Sequence, residues 1–484
     1  MLASVQAAGA NRSLGPAVAG LAAAHPGQSG VLLVDTGEDA LRLRDALIES
    51  ATRTIDAQYY IWNSDVSGRY MAARLLAAAG RGVEVRVLLD DVNVAGRDAT
   101  IAALAEHPNV EIRIYNPNDG RSGMLRWFGF LREFSQLNRR MHNKSFTVDG
   151  AVSIVGGRNI GDEYFDLHPG KNFRDRELLV AGPVVDEVSR GFEDFWNSEW
   201  THPVEKLAGG PVPLDGDLAA VAGEMKSLGY TPEADPGTRI VTDTLPALLW
   251  APVRAVLDAP PTEEAVEASD SIQPVAAEIR RLITSAREEV LVESAYFILG
   301  DEGLEDAARL HESGVDMRVL TNSLASNDLV TNHSGYARRR ESMLDAGIEL
   351  HELRPDAPAC RRLVTLSTVC AQQPAFSLHS KSIVVDRRFV YVGSFNVNLR
   401  STYLNSETAL IVDSPELAEQ IAKSIVELQE EENSWRVTRG ADDDLQWVTR
   451  VDGVEVRDTR EPMTETWRRI GSRVFRLFPM EKYL

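Results

Sequence analysis

The amino-acid sequence predicts an α/β protein of two pseudo-symmetric halves, each an α/β/α arrangement with a mixed sheet, packed to form one shared active site. Three observations predict this fold. Short apolar runs of strand length alternate with helical stretches, the whole alternation occurs twice, and the segment 141–159 reappears in similar form at 378–396. Alternation of this kind is typical of βαβ units around a sheet that is buried on both faces.

The repeat sets the predicted domain boundaries. A segment punctuated by proline and glycine, with an acidic run at 259–270, separates the halves, and we interpret it as a linker or insertion. After the second half, Asp452-Gly453 predicts the turn of a hairpin, and a basic amphipathic segment follows. The predicted divisions are an N-terminal segment, the first half, the linker, the second half and a C-terminal region: 1–29, 30–202, 203–270, 271–436 and 437–484.

Composition and charge exclude several classes of protein. Apolar residues make up 44% and charged residues 25%, which is the balance of a soluble globular protein. Cys360 and Cys370 are the two cysteines, which excludes a disulfide scaffold and fits a reducing compartment. No apolar run reaches the length of about 18 residues that a membrane-spanning helix needs, and we expect no secretion signal. The net charge of −21 opposes binding to nucleic acid.

Both copies of the repeat contain His-x-Lys-x4-Asp, followed after six residues by Gly-x-x-Asn. The segments 144–149 and 381–386 are predicted strands. Because side chains alternate between the faces of a strand, the His and Lys of each motif point the same way and the Asp points the opposite way. We therefore expect both aspartates to have structural roles. The motif residues are His142, Lys144, Asp149 and Asn159, then His379, Lys381, Asp386 and Asn396.

A His and a Lys from each half, converging on one site, indicate a specific reaction. Two histidines can divide the work, one as nucleophile and one as acid, because their pKa lies near neutrality. The lysines supply positive charge for an oxyanion, and the asparagines can donate to a phosphoryl oxygen. Phosphodiester exchange through a phosphohistidine uses all of these groups, and it needs no metal and no other cofactor.

A nucleophilic histidine is normally held by a carboxylate on its other ring nitrogen. Asp175 and Glu407 each lie seven residues before the small residue of a Gly-Pro or Ser-Pro pair. Aligned in this way, the two carboxylates occupy equivalent places in the halves, and we predict that they orient the histidines. Glu177 remains an alternative in the first half.

The duplicated motif resembles that of the phospholipase D superfamily, and the likeness covers both halves. The resemblance implies that the motifs meet between the halves, with His142 as the nucleophile and His379 as the acid that protonates the leaving alcohol. The family often has Ser after the motif glycine. Ser394 stands there in the second half and Gly157 in the first, so a hydroxyl contact to phosphate is expected from the second half only. The resemblance also implies phosphate contacts from Lys144, Lys381, Asn159 and Asn396.

Longer segments, among them AQYYIWNSDVSGR and GSFNVNLRSTYLN, resemble the bacterial cardiolipin synthases, especially the C type. This resemblance implies a phosphatidyltransferase that moves a phosphatidyl group from phosphatidylethanolamine or phosphatidylglycerol to phosphatidylglycerol. A phospholipase D hydrolase that releases phosphatidic acid shares every catalytic residue and stays an alternative, and a nuclease-type phosphodiesterase has less support. The resemblance also implies a location on the cytoplasmic face of the bacterial inner membrane, and it leaves room for a small accessory membrane protein as a partner.

Phospholipid substrates require a surface that faces the membrane. Two basic segments that carry aromatic residues, 121–140 and 466–484, could supply it. Amphipathic helices of this composition favour anionic interfaces, and each nearby cation contributes on the order of 1 kcal/mol there. We therefore expect peripheral binding to the membrane surface through both segments. The alternative is that both are helices that pack on the core with arginines at their edges.

Overall fold

The structure is a computed structural model, and it describes residues 13–94, 98–118, 137–207, 218–262, 271–475 and 482. In the first half, runs of aliphatic and β-branched residues form the strands, and capping side chains begin the helices. Thr36 accepts a hydrogen bond from the N–H of Asp39 at the start of one helix, and Asp65 accepts one from Gly68 at the start of the next. The helices are α1 (Leu14–Ala22), α2 (Gly37–Ser50), α3 (Val66–Gly80), α4 (Asp98–Leu104) and α5 (Val184–Trp196).

The strands of the first half are short, and most of their residues are buried. They are β1 (Ser29–Val34), β2 (Thr54–Tyr59), β3 (Glu84–Asp90), β4 (Val110–Tyr115), β5 (Ser145–Val148), β6 (Val152–Gly156), β7 (Asn172–Arg174), β8 (Glu177–Ala181) and β9 (Thr201–Pro203). Short helical turns connect some of them, at Asp91–Asn93, Asp162–Tyr164 and Val204–Lys206.

The segment between the halves differs from the predicted linker. It contains α6 (Leu218–Ser227), α7 (Pro236–Arg239), helical turns at Ile240–Thr244 and Leu245–Ala247, β10 (Leu249–Ala251) and β11 (Val253–Leu257). Strand β10 pairs with β1 at the edge of one sheet, and β11 pairs with a strand of the other sheet. The chain thus passes from one sheet to the next at Pro252. Proline and glycine mark turns in this segment, but its short apolar runs still add edge strands.

The second half repeats the pattern of the first and extends it at the C-terminal side. Its helices are α8 (Pro274–Thr284), α9 (Asp301–Glu312), α10 (Val330–Asp345), α11 (Cys360–Leu363), α12 (Val369–Gln372), α13 (Leu399–Tyr403), α14 (Pro415–Gln429) and α15 (Thr466–Phe475). Its strands are β12 (Glu289–Ser294), β13 (Asp316–Asn322), β14 (Glu349–Leu353), β15 (Phe376–Leu378), β16 (Lys381–Val385), β17 (Phe389–Gly393), β18 (Thr408–Asp413), β19 (Ser434–Arg439), β20 (Leu445–Val451) and β21 (Val454–Asp458).

The two large sheets have matching topologies. Their strand orders are β10-β1-β8-β6-β5-β2-β3-β4-β9 and β11-β18-β17-β16-β12-β13-β14-β19-β20-β21. In the first sheet β2, β3 and β4 are parallel, and in the second β12, β13 and β14 are parallel; the other neighbours pair antiparallel. The two mixed sheets, each with its own helices, give the α/β class and the pseudo-symmetry that the repeat predicts.

An apolar core joins the halves to each other. Each half buries its own cluster of aliphatic and aromatic side chains, and a third cluster contains residues from both sheets. Its members are entirely or almost entirely excluded from solvent, which makes the interface resemble the interior of a single domain. Residues of this shared core include Val180, Val184, Val390, Leu410 and Ile421.

Two features near the C-terminal side bear on the sequence predictions. Strands β20 and β21 form a hairpin with Asp452 and Gly453 at its turn, both at positive φ, and β20 joins the second sheet beside β19. Cys360 and Cys370 form a disulfide, with their Cα atoms 5.7 Å apart. The pairing differs from the expectation of a reducing compartment, since the two short helices α11 and α12 bring the cysteines within disulfide range.

The motif aspartates hold the start of a neighbouring strand. The carboxylate of Asp149 accepts from the N–H groups of Thr52, Arg53 and Thr54 at 2.8–3.2 Å, directly before and at the start of β2. Asp386 accepts in the same way from three successive N–H groups that lead into β12, at residues 287–289. Both aspartates thus have the structural contacts that strand alternation predicts.

The substitution Asp149→Ala is expected to lower the free energy of unfolding by about 2–4 kcal/mol, because the N–H groups at the start of β2 lose a charged acceptor. Urea unfolding followed by circular dichroism measures this change. Asp442→Ala removes an exposed carboxylate and serves as the control, with an expected change within about 0.5 kcal/mol. Equal effects of the two substitutions would contradict the structural role of Asp149.

Candidate active site

Two short parallel pairings between the halves assemble the site. Strand β15 pairs with β7, so that Leu378 lies opposite Arg174, and an isolated parallel bridge joins Met141 to Ser406. In each pairing the next residue of one segment is a motif histidine, and the next residue of the other segment is a carboxylate. The backbone register therefore places each histidine beside the carboxylate of the opposite half.

Each histidine is hydrogen-bonded to that carboxylate. His142 Nδ1 lies 2.8 Å from Oε2 of Glu407, and His379 Nδ1 lies 2.6 Å from Oδ2 of Asp175. All four side chains are buried. A carboxylate at Nδ1 selects the tautomer and the orientation that present Nε2 to a reacting group. Glu177, the alternative to Asp175, is instead paired with two buried arginines, Arg44 at 2.5 Å and Arg158 at 3.1 Å.

Hydroxyl groups of the second half hold Glu407. Ser394 donates to Oε2 of Glu407 at 2.5 Å, and Ser401 donates to Oε1 at 2.7 Å. Ser394 also accepts from the N–H of Thr408 at 2.9 Å. This arrangement corrects the expected phosphate contact of Ser394, because its hydroxyl proton is committed to the carboxylate that orients His142.

In the first half, a glycine provides the space that Asp175 needs. A Cβ atom added at Gly157 would lie 2.4 Å from Oδ1 of Asp175, which is closer than real Cβ contacts. The same oxygen accepts from the N–H of Arg176 at 2.8 Å. Gly157 and Ser394 occupy equivalent positions in the two halves. In the second half the hydroxyl of Ser394 donates to the longer Glu407, whereas in the first half the lack of a side chain at Gly157 leaves space for the shorter Asp175.

The two lysines of the motifs bend back towards the segments that carry the histidines. Lys144 Nζ donates to the carbonyl of His142 at 2.6 Å, and Lys381 Nζ donates to the carbonyl of His379 and lies 3.1 Å from its Nδ1. Both lysines are buried. They add two positive charges to a site that also holds two carboxylates, which suits an anionic substrate.

The two asparagines of the motifs are buried on equivalent segments, which follow β6 in the first half and β17 in the second. Asn159 accepts from the N–H of Ile61 at 3.1 Å and donates to the hydroxyl of Tyr164 at 3.1 Å. The side-chain oxygen of Asn396 has no hydrogen-bond partner among the described residues. A buried polar atom without a partner is costly in a folded protein, and a bound ligand or water would relieve that cost.

Burial dominates the electrostatics of the site. It lowers the pKa of His142 and of His379 to about 4, more than the neighbouring carboxylates raise them. Burial also lowers the pKa of Lys144 to about 7 and that of Lys381 to about 8. The charge of Lys381 lowers the pKa of His142, and that of Lys144 lowers the pKa of His379. The hydrogen bonds of both histidines to carboxylates of the opposite half place the two motifs at one site.

The carboxylates stay ionised despite their burial. Burial alone would raise the pKa of Asp175 and of Glu407, but the partner histidine and the nearby lysine outweigh it and leave each pKa below its usual value. At neutral pH the site thus contains two neutral histidines, two carboxylates and lysines whose pKa values lie close to that pH.

The last residue of the middle parallel strand in each half holds the segment before the motif histidine. Asp90, the last residue of β3, accepts from the N–H of Met141 at 2.9 Å, and Asn322, the last residue of β13, accepts from the N–H of Leu378 at 2.9 Å. Arg140 lies 3.3 Å from Asp90. Burial raises the pKa of Asp90 to about 6. Sequence reasoning missed this pair, although both residues end matching strands of the repeat.

Aromatic rings surround the histidines. Tyr60 contacts His142 edge to face, with ring centroids 4.9 Å apart, and Tyr164 and Phe173 contact His379 at 5.1 and 5.2 Å. The contacts of Tyr164 and Phe173 with His379 were not predicted from the sequence. Their only sequence signal is proximity to Asn159 and Asp175, which many other residues share.

The proposed membrane segments are described only in part. Of 121–140, residues 121–136 lie outside the described residues, and residues 137–140 are buried. Of 466–484, the structure describes helix α15 and residue 482. Within the described part of the chain, the helices are all too short or too polar to cross a membrane.

Duplicated His-Lys-Asn motifs that meet between two α/β halves define a phospholipase D-like site. A family model described as cardiolipin synthase, PLD-like domain, matches residues 45–196 and 279–428. The match covers more than half of the chain, with one segment in each half, and the chain belongs to this family. The superfamily and the fold class predicted from the sequence are thereby confirmed.

Several proteins are similar to this chain over most of its length. Cardiolipin synthase C of Escherichia coli (strain K12) is 37% identical over 475 residues, which cover 97% of this chain and 99% of that protein. Cardiolipin synthase A of Pseudomonas entomophila (strain L48) is 27% identical and covers 81% of this chain and 67% of its own. The crystal structure of phosphatidylserine synthase from Haemophilus influenzae Rd KW20 has a TM-score of 0.60 at 12% identity, with 94% and 95% of the two chains covered, which shows a shared fold.

The pKa values of the site predict a pH profile for kcat/KM with a soluble phosphodiester that carries a nitrophenol leaving group, which needs no proton from His379. The rate is expected to fall as pH drops through about 4, because His142 becomes protonated. It is expected to fall again as pH rises through about 7 to 8, because Lys144 and Lys381 lose the charge that attracts the substrate. Steady-state kinetics across this range measures both limbs. A rate that stays constant to pH 10 would contradict the lowered lysine pKa values.

Proposed function

We propose that this chain is a phosphatidyltransferase that forms cardiolipin. It transfers the phosphatidyl group of a phospholipid donor, phosphatidylethanolamine or phosphatidylglycerol, to the terminal hydroxyl of phosphatidylglycerol. The observation that carries the proposal is the single buried site with two cross-paired histidines, in a chain that is 37% identical over nearly its whole length to a cardiolipin synthase. The acidic chain, with a net charge of −21, gives no comparable support to a nuclease.

In the proposed mechanism, Nε2 of His142 attacks the phosphorus of the donor while Glu407 accepts the hydrogen bond from Nδ1. The new N–P bond forms as the bond from phosphorus to the headgroup oxygen breaks, and His379 gives its Nε2 proton to that oxygen. The lowered pKa of His379 favours the neutral ring, but the negative charge of a bound phosphodiester favours the protonated ring. Lys144, Lys381, Asn159 and Asn396 stabilise the charged phosphoryl oxygens.

The second displacement reverses the first. The acceptor hydroxyl loses its proton to His379 and attacks the phosphorus, and the N–P bond to His142 breaks. The product is a diester of the acceptor alcohol, and His142 returns to its neutral form. Water in the place of the alcohol gives phosphatidic acid instead, so transfer depends on an acceptor that occupies the site before water does.

Helix α15 supplies a surface for peripheral binding to a bilayer. It packs against α10, but its apolar residues point outward: Trp467 is 63% exposed, Ile470 57% and Val474 48%. Arg468 and Ser472 lie on the side that faces the protein. An ordinary amphipathic helix of a soluble protein has the opposite orientation. Contact of these apolar residues with lipid accounts for their outward orientation. We include in the same proposal that the helix binds the cytoplasmic face of the membrane.

Purified protein is expected to form cardiolipin from the lipids of mixed vesicles of phosphatidylglycerol and phosphatidylethanolamine. Ethanolamine is released if phosphatidylethanolamine is the donor, and glycerol if phosphatidylglycerol is the donor. Mass spectrometry of the lipids and headgroups measures both products. His142→Ala is expected to reduce the rate at least about 10³-fold, because the covalent route is lost. Phosphatidic acid as the only product would make the enzyme a hydrolase, and full activity of His142→Ala would contradict the phosphohistidine.

The double substitution Ile470→Ser, Val474→Ser is expected to weaken binding to anionic vesicles at least about tenfold, because each serine removes apolar area that inserts into the interface. Vesicle sedimentation measures binding, and turnover of a soluble short-chain diester measures the integrity of the site. Val454→Ser is the matched control, since Val454 is 65% exposed at the turn of the hairpin and is not part of α15. Loss of soluble turnover with unchanged vesicle binding would give the helix a folding role instead.

A further inference from the structure

The proposed acceptor differs from an ordinary alcohol in carrying a phosphodiester of its own. A single glycerol separates its attacking hydroxyl from that phosphate, so a second anion must lie close to the reacting one. The motif lysines and asparagines are assigned to the phosphate that reacts. A transferase for this acceptor therefore needs a second group of cations at the side where the acceptor enters, and this requirement rests on the proposed function.

The acceptor enters on the side of His379, because the attacking alcohol approaches opposite the N–P bond to His142 and gives its proton to His379. That side is marked in the structure by Phe173, whose ring lies against His379 with centroids 5.2 Å apart. Lys171 places its Nζ over the same ring, 4.8 Å from the centroid. Phe173 thus connects the catalytic histidine to a cation two residues earlier in the chain.

Lys171 lies at the wall of an open polar cavity of about 640 Å³. Phe173, whose ring contacts His379, lines the same cavity. A volume of this size is typical of a small-molecule binding site and accommodates a glycerol headgroup. The other lining residues are polar or charged: Asn63, Ser64, Asp65, Glu163 and His168.

A second cation reaches this region from the C-terminal helix. Arg468 of α15 donates from Nη2 to the carbonyl of Asn327 at 2.6 Å, and its buried Nε has no hydrogen-bond partner in the described part of the chain. Burial lowers the pKa of Lys171 and the nearby charge of Arg468 lowers it further, whereas the carboxylates of Asp328 and Glu163 act in the opposite direction. Neither cation is within 4.0 Å of a carboxylate oxygen of a described residue.

We propose that Lys171 and Arg468 form a second anion-binding subsite, which holds the acceptor's own phosphodiester while its glycerol hydroxyl meets the phosphohistidine. Asp328 lies near both cations and accepts from the hydroxyl of Tyr296 at 2.8 Å. Its remaining lone pairs can accept from the free hydroxyl of the glycerol. The subsite thus combines acceptors for a polyol with donors for a phosphate, which matches an anionic glycerol headgroup.

The position of Arg468 explains why the subsite lies at the lipid surface. The same helix exposes Trp467, Ile470 and Val474 outward and turns Arg468 inward. A headgroup that enters from a bilayer in contact with the apolar stripe would meet Arg468 on the protein-facing side of the helix. Helix α15 would then contribute to acceptor binding as well as to membrane attachment.

The test is a competition for one phosphoenzyme in solution. A short-chain phosphatidyl donor with a nitrophenol leaving group forms the intermediate, and short-chain phosphatidylglycerol competes with free glycerol as the acceptor, without vesicles. Lys171→Ala and Arg468→Ala are expected to lower the ratio of the cardiolipin product to the phosphatidylglycerol product at least about tenfold, because charged hydrogen bonds to the acceptor phosphate are lost. Release of nitrophenol should stay unchanged.

Matched variants separate the subsite from other roles. Lys171→Arg should retain the ratio, and Arg473→Ala, which removes an exposed charge of the same helix, should leave it unchanged. An unchanged ratio in both Lys171→Ala and Arg468→Ala, with normal transfer by the wild-type enzyme, would overturn the subsite alone. Equal loss with both acceptors would also overturn it and would indicate damage to the site. Transfer to neither acceptor by the wild-type enzyme would overturn the proposed function itself.

Discussion

Each histidine of the site depends on a carboxylate that belongs to the other half of the molecule. His142 is held by Glu407 and His379 by Asp175, and parallel pairing of the preceding residues fixes both contacts. Neither half contains a complete site, because a histidine without its carboxylate lacks a fixed tautomer. The shared apolar core between the sheets is therefore as necessary for the chemistry as the motifs are, since it sets the distance between the halves.

The two halves differ in the residues that surround the two catalytic histidines. Glu407 receives hydrogen bonds from Ser394 and Ser401, whereas Asp175 is admitted by the missing side chain at Gly157. The two segments before the histidines are held by an aspartate in one half and an asparagine in the other. A double displacement gives the two histidines different tasks, so identical surroundings would suit neither task fully.

The repeat and the motif spacing were sufficient to predict the α/β class and the residues that converge, because both are local patterns. The two carboxylates could also be predicted, since each lies seven residues before a Gly-Pro or Ser-Pro pair in the sequence. The sequence did not predict that each histidine pairs with the carboxylate of the other half. That pairing depends on the register of β15 with β7, which no local pattern encodes. For the same reason the sequence could not give the inverted orientation of α15, where an amphipathic pattern has the same period whichever face is buried.

Cross-half pairing is tested most directly by rapid-quench measurement of phosphoenzyme formation in Glu407→Gln and Asp175→Asn, with donors that carry a nitrophenol or an alkyl leaving group. Glu407→Gln should slow formation with both donors, because it misorients the nucleophile His142. Asp175→Asn should slow it only with the alkyl donor, because only a poor leaving group needs the proton of His379. The reverse pattern, with Asp175→Asn slowing both donors and Glu407→Gln only the alkyl donor, would contradict the pairing of a nucleophilic His142 with Glu407 and of an acidic His379 with Asp175.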